Sequence, residues 1–195
     1  YIPNPCDKSF EILNNYKNSC NVDVFFALSH GVHRGVLKTG KTDDRIIFLN
    51  KLIHKTPNIK FDFYGIEKVQ PIWADHYFKT IANAKMGLNL SRGEAIKYYS
   101  SDRITQIVGN GLVCLIDEKT QYRDFFNNDE MIFYKSLSDL SEKIIKISSD
   151  EKLRKKVARN GKIKYMKYFN SDLVSKYIID KTLDIKNNKK YLWEK

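Results

Sequence analysis

Residues 86–117, MGLNLSRGEAIKYYSSDRITQIVGNGLVCLID, decide the fold because they carry the signals of a strand, a loop, a helix and a second strand. MGLNLS is a short apolar run that ends in polar residues. GLVCLID is the nearly unbroken apolar run typical of a parallel strand covered on both faces. Ser101 and Asp102 are candidate caps for a helix over residues 103–108, which the GNG at 109–111 would end. This order predicts one βαβ unit of a doubly wound α/β fold.

The rest of the chain supplies the other elements of such a sheet. Residues 23–28 and 59–65 have the apolar patterns of strands, and residues 45–55 and 73–85 have helical spacing. A strand is expected within residues 122–136, followed by an amphipathic helix over 136–149 with Ser138 as its cap. Residues 150–169 predict a pair of helices broken at Asn160-Gly161, and a last helix runs to about residue 185. Trp73 is expected to be a packing residue rather than a stacking platform.

Two polar loops are expected at the carboxyl edge of this sheet, where ligands bind in doubly wound folds. The first loop, residues 29–45, contains a glycine and several basic or imidazole side chains: His30, Gly31, His33, Arg34, Lys38 and Lys41. The second contains hydroxyl, carboxylate and guanidinium groups: Ser91, Arg92, Glu94, Tyr98, Tyr99, Ser100, Ser101 and Asp102. Free backbone N–H groups at the following helix start, with Arg103 in its first turn, predict a site for a phosphate or another anion. For both loops the alternative is an ordinary solvated surface.

The charge balance is strongly basic, with 34 Lys and Arg against 23 Asp and Glu and a formal net charge of +11. This excess favours an anionic partner, namely nucleic acid, an acidic membrane surface or a phosphorylated substrate, unless it only reflects a lysine-rich composition. The helical stretch 152–167 is expected to present most of its cations outward, as a solvated face or as a contact with an anionic membrane. No apolar run approaches the ~20 residues that span a bilayer.

The sequence gives no sign of a disulfide framework or a metal centre. Cys6, Cys20 and Cys114 are scattered and form no C-x-x-C pair, which favours a reducing compartment, and Cys114 lies in an apolar strand. His30 and His33 have no Cys or Glu partner at the spacing of zinc ligands. The glycines of the 29–45 loop form neither a G-x-G-x-x-G fingerprint nor a P-loop, so nicotinamide dehydrogenases and P-loop nucleotidases lack support.

The stretch 86–117 resembles the donor-binding half of the CgeB-like (spore maturation protein-like) glycosyltransferases, a branch of the GT-B superfamily. Four features fit the family pattern: Ser101, Arg103, Gly111 and the apolar strand that ends at Asp117. Gln106 replaces the glutamate that in related GT-B enzymes holds the ribose hydroxyls, and its amide is a weaker acceptor than a carboxylate. The ordered resemblance spans nearly residues 1–175 and implies a Rossmann-like parallel sheet flanked by helices, with further C-terminal helices.

The resemblance implies a glycosyltransferase donor domain that binds a nucleoside-diphosphate sugar, either a UDP-sugar or a GDP-sugar. The donor diphosphate would be held by Gly31, Arg34, Lys38 and Arg103. The donor sugar and nucleoside would be held by Gly65, Ser91, Arg92, Tyr99, Ser101, Asp102 and Gln106. The basic residues would stabilise the departing diphosphate. The resemblance also implies that neither a metal ion nor a cofactor is required. No catalytic residue is assigned.

The opening YIPNPCD is similar to the segment where GT-B enzymes pass from the acceptor domain to the donor domain. The resemblance therefore implies an interdomain linker remnant (1–10), a nucleotide-sugar-binding domain (11–175) and a C-terminal helix with a basic tail (176–195). An N-terminal acceptor domain would precede the linker in a longer protein, so this chain alone would be inactive. Tyr191, Leu192 and Trp193 would then lack their natural partner. A cytoplasmic enzyme with peripheral membrane contact is expected.

A non-catalytic function is the alternative: a basic α/β module that binds nucleic acid or another polyanion. The basic residues are spread over loops and late helices without a known nucleic-acid motif, so no specific nucleic acid is predicted. Titration with nucleoside diphosphates distinguishes the two functions, since only the first requires a pocket for a small anion.

Overall fold

The computed structural model describes residues 1–28, 44–66, 69–99, 101–186 and 190–194. Within these residues, one sheet of five strands has the order β2-β1-β3-β4-β5, and every neighbouring pair is parallel. The strands are β1 (Val22–Ala27), β2 (Phe61–Tyr64), β3 (Ala84–Asn89), β4 (Val113–Asp117) and β5 (Ile132–Tyr134). This strand order is that of the flavodoxin-like doubly wound folds, in which the direction of winding reverses between β1 and β3.

Six helices cover the two faces of the sheet within the described residues. They are α1 (Asp44–Lys55), α2 (Ala74–Ile81), α3 (Arg103–Gly109), α4 (Leu137–Ser149), α5 (Glu151–Tyr168) and α6 (Ser171–Thr182). Neighbouring residues of β1 face opposite sides: Phe25 joins the apolar cluster that includes α2 and α3, and Phe26 joins the cluster that includes α1 and α4. Both faces are therefore buried. The predicted Rossmann-like α/β fold with C-terminal helices is confirmed, including the β3-α3-β4 unit.

The predicted helix caps are wrong in detail. Asp102 has helical dihedral angles (φ −50°, ψ −21°), and its side chain makes no capping bond to α3. The Ser101 hydroxyl instead lies 3.4 Å from Asn89 Oδ1, next to the end of β3. At α4 the cap is Ser136, whose hydroxyl accepts a bond from the main-chain N–H of Asp139, rather than Ser138. More than one serine lies near the start of each of these helices, and which of them can cap the helix depends on the path of the backbone.

One continuous helix, α5 (Glu151–Tyr168), runs through this stretch, so the predicted break at Asn160-Gly161 is also wrong. Gly161 is buried in the middle of α5, where a Cβ atom would lie 2.3 Å from the carbonyl oxygen of Glu130. The glycine therefore permits a close approach between α5 and the segment that precedes β5. A glycine in such a contact has the same sequence signal as a glycine that ends a helix.

Both ends of the chain are packed on α5 and α6. Cys6 is fully buried and pairs with Asn170 in an isolated bridge. Tyr191 and Trp193 are buried as well, with the Trp193 ring 5.5 Å from that of Phe169 and 5.7 Å from that of Tyr177. The expectation that these C-terminal aromatic residues lack a partner is therefore wrong. Of the helices described, none is both long and apolar enough to cross a membrane.

Candidate functional site

A cavity of about 270 Å³ lies at the carboxyl end of β1, between α2 and α3. Its described lining residues come from three parts of the chain: the end of β1 (Ala27, Leu28), the start of α2 and the residues before it (Ile72, Trp73, Ala74, Tyr77, Phe78), and α3 with the residue before it (Asp102, Arg103, Gln106). Polar and apolar surface contribute almost equally to its walls. The location beside the β1/β3 reversal is where doubly wound folds bind ligands.

Arg103 is fixed across the point where the winding reverses. Its Nε donates to the carbonyl oxygen of Ala27 at the end of β1 (3.1 Å), and its Nη1 donates to that of Leu90 just after β3 (3.2 Å). The guanidinium carbon lies 4.8 Å from the ring centre of Phe26. These bonds use two of the five guanidinium N–H groups. Arg103 thus lies at a cavity beside the carboxyl edge of the sheet, and its role as a ligand stays a prediction.

Burial of Arg103 is unfavourable for its positive charge. Desolvation lowers the pKa of the guanidinium, and the nearby charge of Arg45 lowers it further. Arg45 is itself buried, in the first turn of α1. The Asp102 carboxylate, which lines the same cavity, acts in the opposite direction and raises the pKa of Arg103.

Three of the backbone N–H groups at the start of α3 are used in hydrogen bonds within the chain, so they are not the free donors that the sequence predicts. The N–H of Ile104 donates to the Ser101 carbonyl (3.1 Å), and those of Thr105 and Gln106 donate to the Asp102 carbonyl (3.0 and 3.5 Å). The helix begins with a tight turn that satisfies these donors internally. Positive charge at this site therefore comes from the guanidinium of Arg103 and not from the helix start.

Tyr77 and Gln106 form a polar pair inside the cavity. The Tyr77 hydroxyl donates to Gln106 Oε1 over 2.6 Å, which occupies one acceptor position of the amide and leaves its N–H donors. Burial raises the pKa of Tyr77 well above its usual range, so the phenol stays protonated and keeps donating at neutral pH. The pair fixes the orientation of Gln106 toward a ligand.

The cavity unites three of the residues predicted for the site, namely Asp102, Arg103 and Gln106. The other described ones lie elsewhere along the carboxyl edge and do not line it: Gly65, Ser91, Arg92, Tyr99 and Ser101. Gly65 directly follows β2 with a positive φ of 72°, as expected for a glycine at the sheet edge. Tyr99 lines a different cavity of about 400 Å³ near the start of the chain. Gly31, Arg34 and Lys38 lie outside the described residues.

Tyr77 and Trp73 are cavity residues that the sequence patterns assign to the core. Together with Ile81 they form one helical stripe, which predicts a buried face. Ile81 is fully buried, Tyr77 is half-buried and Trp73 is 59% exposed, because α2 starts beyond the carboxyl edge of the sheet. The prediction that Trp73 is a packing residue is therefore wrong. An aromatic residue just before a helix start at this edge is the only sequence signal for the cavity role.

No cluster of three or more His, Cys, Asp or Glu side chains is arranged to hold a metal ion among the residues that the structure describes. The cysteines Cys6, Cys20 and Cys114 are buried free thiols. Burial raises the pKa of Cys114 well above its usual range, so this thiol is a core group, as the sequence indicates.

Comparison with solved structures shows the same fold in TarM and in a fucosyltransferase. A crystal structure of TarM has a TM-score of 0.58 and 13% identity, and covers 86% of this chain and 36% of its own. A TarM variant from S. aureus, in complex with fondaparinux, α-GlcNAc-glycerol and UDP, has a TM-score of 0.56 and 12% identity, with 84% and 36% covered. An α1,3-fucosyltransferase has a TM-score of 0.57 and 10% identity, with 95% and 50% covered. The chain thus spans about a third to a half of the length of these proteins.

The structural matches confirm the expected GT-B type of Rossmann-like fold, and at this level of identity they show the fold alone. No curated protein sequence matches the chain significantly. Residues 45–180, however, match the sequence profile of the glycosyl transferase-like family, and this range runs from the first turn of α1 to the last turn of α6 and includes the cavity residues of α2 and α3. The chain therefore belongs to the glycosyl transferase-like family.

Proposed function

We propose that the cavity beside Arg103 binds the nucleoside diphosphate of a UDP- or GDP-sugar, and that the chain is the donor domain of a glycosyltransferase. The observation that carries this proposal is the fixed guanidinium of Arg103 at the carboxyl ends of β1 and β3. The TarM variant in complex with UDP shares the fold, which supports the choice of a nucleotide ligand. The proposal extends to the CgeB-like branch on the sequence pattern of residues 101–117.

The proposed role of Arg103 is to stabilise the negative charge that develops on the departing diphosphate. Its two bonds to main-chain carbonyls hold the guanidinium in place before the ligand arrives, so little reorganisation is needed during the reaction. Arg45 strengthens the positive field at this point. Gly31, Arg34 and Lys38 are proposed as further diphosphate ligands from sequence. Because guanidinium groups can supply the compensating charge, we propose that no metal ion is required.

The remaining polar groups of the cavity are proposed to hold the ribose and the sugar. Gln106 is oriented by the Tyr77 hydroxyl and presents amide N–H donors, which suit the lone pairs of sugar hydroxyls. Asp102 is exposed at the same cavity and can accept bonds from hydroxyl groups. Gly65, Ser91, Arg92, Tyr99 and Ser101 stay proposals from sequence, since they lie along the same edge without lining the cavity.

The full transfer reaction is proposed to need a second, acceptor-binding domain. The chain spans 36–50% of the length of the similar structures, and we assign no catalytic base within it. In this proposal residues 1–10 link the two domains, residues 11–175 bind the donor, and residues 176–195 form a C-terminal helix and tail. The chain alone would then bind the nucleotide and transfer no sugar.

The alternative of a polyanion-binding module has little support from the basic stretch on α5. Four of its cations are paired with carboxylates: Arg154 and Lys155 with Glu151, Lys156 with Asp129, and Lys164 with Glu130. Lys162 donates to the main-chain carbonyls of Glu11 and Leu13. The four ion pairs reduce the net positive charge of this stretch, on which nucleic-acid or membrane binding would depend, whereas the bonds of Lys162 to neutral carbonyls leave its charge in place.

Calorimetric titration with UDP, GDP and inorganic pyrophosphate tests the proposed function. The wild-type chain should bind UDP or GDP, and Arg103→Met should weaken binding by roughly 1.5–3 kcal/mol through loss of a charge-assisted contact. Methionine keeps an apolar stem against Phe26 and removes the charge. Arg159→Met, on the exposed face of α5, is the matched control and should bind like wild type. Equal affinity of wild type and Arg103→Met, both folded by circular dichroism, would exclude Arg103 as a ligand.

A further inference from the structure

Trp73 is unusually exposed for an indole at the edge of a cavity. Its side chain lines the cavity next to Ile72 and Ala74, yet it is 59% exposed. Tryptophan brings a large apolar area, and leaving it in water forgoes the stabilisation that burial would give. Elsewhere on the same helical stripe, Ile81 is fully buried. A ligand in the cavity could therefore cover the exposed part of the Trp73 ring and remove it from water.

The backbone beside Trp73 is held in an unfavourable conformation. Ala74 has a φ of +46°, which is a left-handed value that residues with a Cβ atom rarely adopt. Trp73 itself is extended (φ −139°, ψ 161°), and its carbonyl accepts from the N–H of Tyr77 over 3.3 Å. Strained positions of this kind cluster at ligand sites, where the geometry they impose is useful. Here the strained residue joins the extended Trp73 to α2, and both residues line the cavity.

The cavity has two chemically different ends. Arg103 and Asp102 on the α3 side carry charge, whereas Ile72, Trp73 and Phe78 on the α2 side are apolar or aromatic. The Tyr77–Gln106 hydrogen bond connects the two sides. A ligand that fills this cavity should therefore have a charged part, a polar middle and a planar apolar part. A nucleoside diphosphate has these three parts in this order.

We infer that Trp73 is a stacking platform for the nucleobase, and thereby makes the site select nucleotides over bare diphosphates. This inference rests on the proposed function, since it assigns the planar part of the same ligand. A base stacked on the indole would cover the exposed ring face. Stacking is tolerant of base identity because every base has a π-face, so Trp73 would contribute to the binding of UDP and GDP alike.

The test compares a ligand that has a base with one that has none. UDP and inorganic pyrophosphate are titrated by calorimetry into wild type, Trp73→Ala and Trp73→Phe. Trp73→Ala should weaken UDP binding by roughly 5- to 150-fold, which is the contribution expected from stacking of one base. The same variant should bind pyrophosphate within about twofold of wild type. Trp73→Phe keeps an aromatic face and should retain most of the UDP affinity. Phe10→Ala, at a position 65% exposed in the first ten residues, is the matched control and should change neither.

Intrinsic fluorescence gives a second readout that does not depend on affinity. The chain has two tryptophans, Trp73 and the buried Trp193. UDP at saturation should change the emission of wild type and leave that of Trp73→Phe unchanged, whereas pyrophosphate should change neither.

The outcomes separate this inference from the proposed function. If Trp73→Ala binds UDP as tightly as wild type, the stacking inference is wrong and the proposed function stands. If UDP and pyrophosphate are weakened equally, Trp73 acts through the fold of the cavity, and stacking is again refuted. If Trp73→Ala weakens a UDP-sugar but not UDP, the sugar and not the base lies on the indole. If wild type binds neither ligand, the proposed function fails and the inference fails with it.

Discussion

Replacing Gly161 by alanine tests how α5 docks on the sheet. On a helix surface with no close neighbour, glycine to alanine raises the free energy of unfolding by about 1 kcal/mol. At Gly161 the new Cβ would lie 2.3 Å from the carbonyl oxygen of Glu130 and 3.5 Å from Val108 Cγ1. The nearest atom belongs to the main chain, in a segment held by the 2.8 Å ion pair between Lys164 and Glu130. It therefore cannot rotate away as a flexible side chain could.

Whether Gly161→Ala raises or lowers the free energy of unfolding depends on two opposing contributions, the gain in helix propensity and the clash with Glu130. Overpacking of this kind costs about 1–3 kcal/mol, against a helix propensity gain of about 1 kcal/mol, so we expect a net loss of stability of up to about 2 kcal/mol. Urea unfolding should show a lower midpoint with an unchanged slope. Arg159→Ala, exposed on the same helix, should stay within about 0.5 kcal/mol of wild type. A Gly161→Ala protein that is more stable than wild type would refute the contact with Glu130.

Three further predictions concern charged groups away from the cavity. Arg154→Met should cost about 1–3 kcal/mol for each main-chain carbonyl that it leaves unpaired, those of Asn15 and Asn18, as measured by urea unfolding. Hydrogen bonds from Ser171 and Ser9 lower the pKa of Asp7 to about 2, so its stabilisation is present above its unfolded value of 3.8 and is lost as pH falls through about 2. Asp7→Asn should flatten the pH dependence of stability in that window, and an unchanged acid profile would contradict the assignment. Co-sedimentation with acidic vesicles at low salt should be weak because half of the eight cations in residues 152–167 are in ion pairs, and strong salt-sensitive binding would show that the pairs do not neutralise this face.

The sheet was predictable because its strands have simple local signals. The strand β4 is buried on both faces, and a parallel strand of this kind must be an almost continuous apolar run. Arg103 was also predictable, since it follows a polar loop at the carboxyl edge. The hydrogen bonds that hold its guanidinium were not predictable, because they join Arg103 to Ala27 and Leu90, which are distant in sequence. Nor was it predictable that N–H groups at the start of α3 bond to carbonyls within the same turn.

The errors share a physical cause. The same local sequence pattern fits more than one structural role, and the position of the residue in the folded chain determines which role it has. Trp73 and Tyr77 follow the spacing of a core stripe, but the start of α2 extends past the sheet edge, so the stripe passes from core to cavity. Gly161 has the signal of a helix end, yet it marks a close contact. The C-terminal Trp193 is an apolar tail residue whose partners on α5 and α6 appear only in the folded chain.

A crystal structure of this chain with UDP bound is the most direct test of the central claim, that Arg103 anchors the diphosphate at the carboxyl ends of β1 and β3. We predict a phosphate oxygen about 2.7–2.9 Å from a guanidinium nitrogen of Arg103, the distance of a charge-assisted hydrogen bond. The bonds from Arg103 to Ala27 and Leu90 should persist in the complex. A diphosphate bound elsewhere on the chain, with the cavity between α2 and α3 empty, would contradict the account.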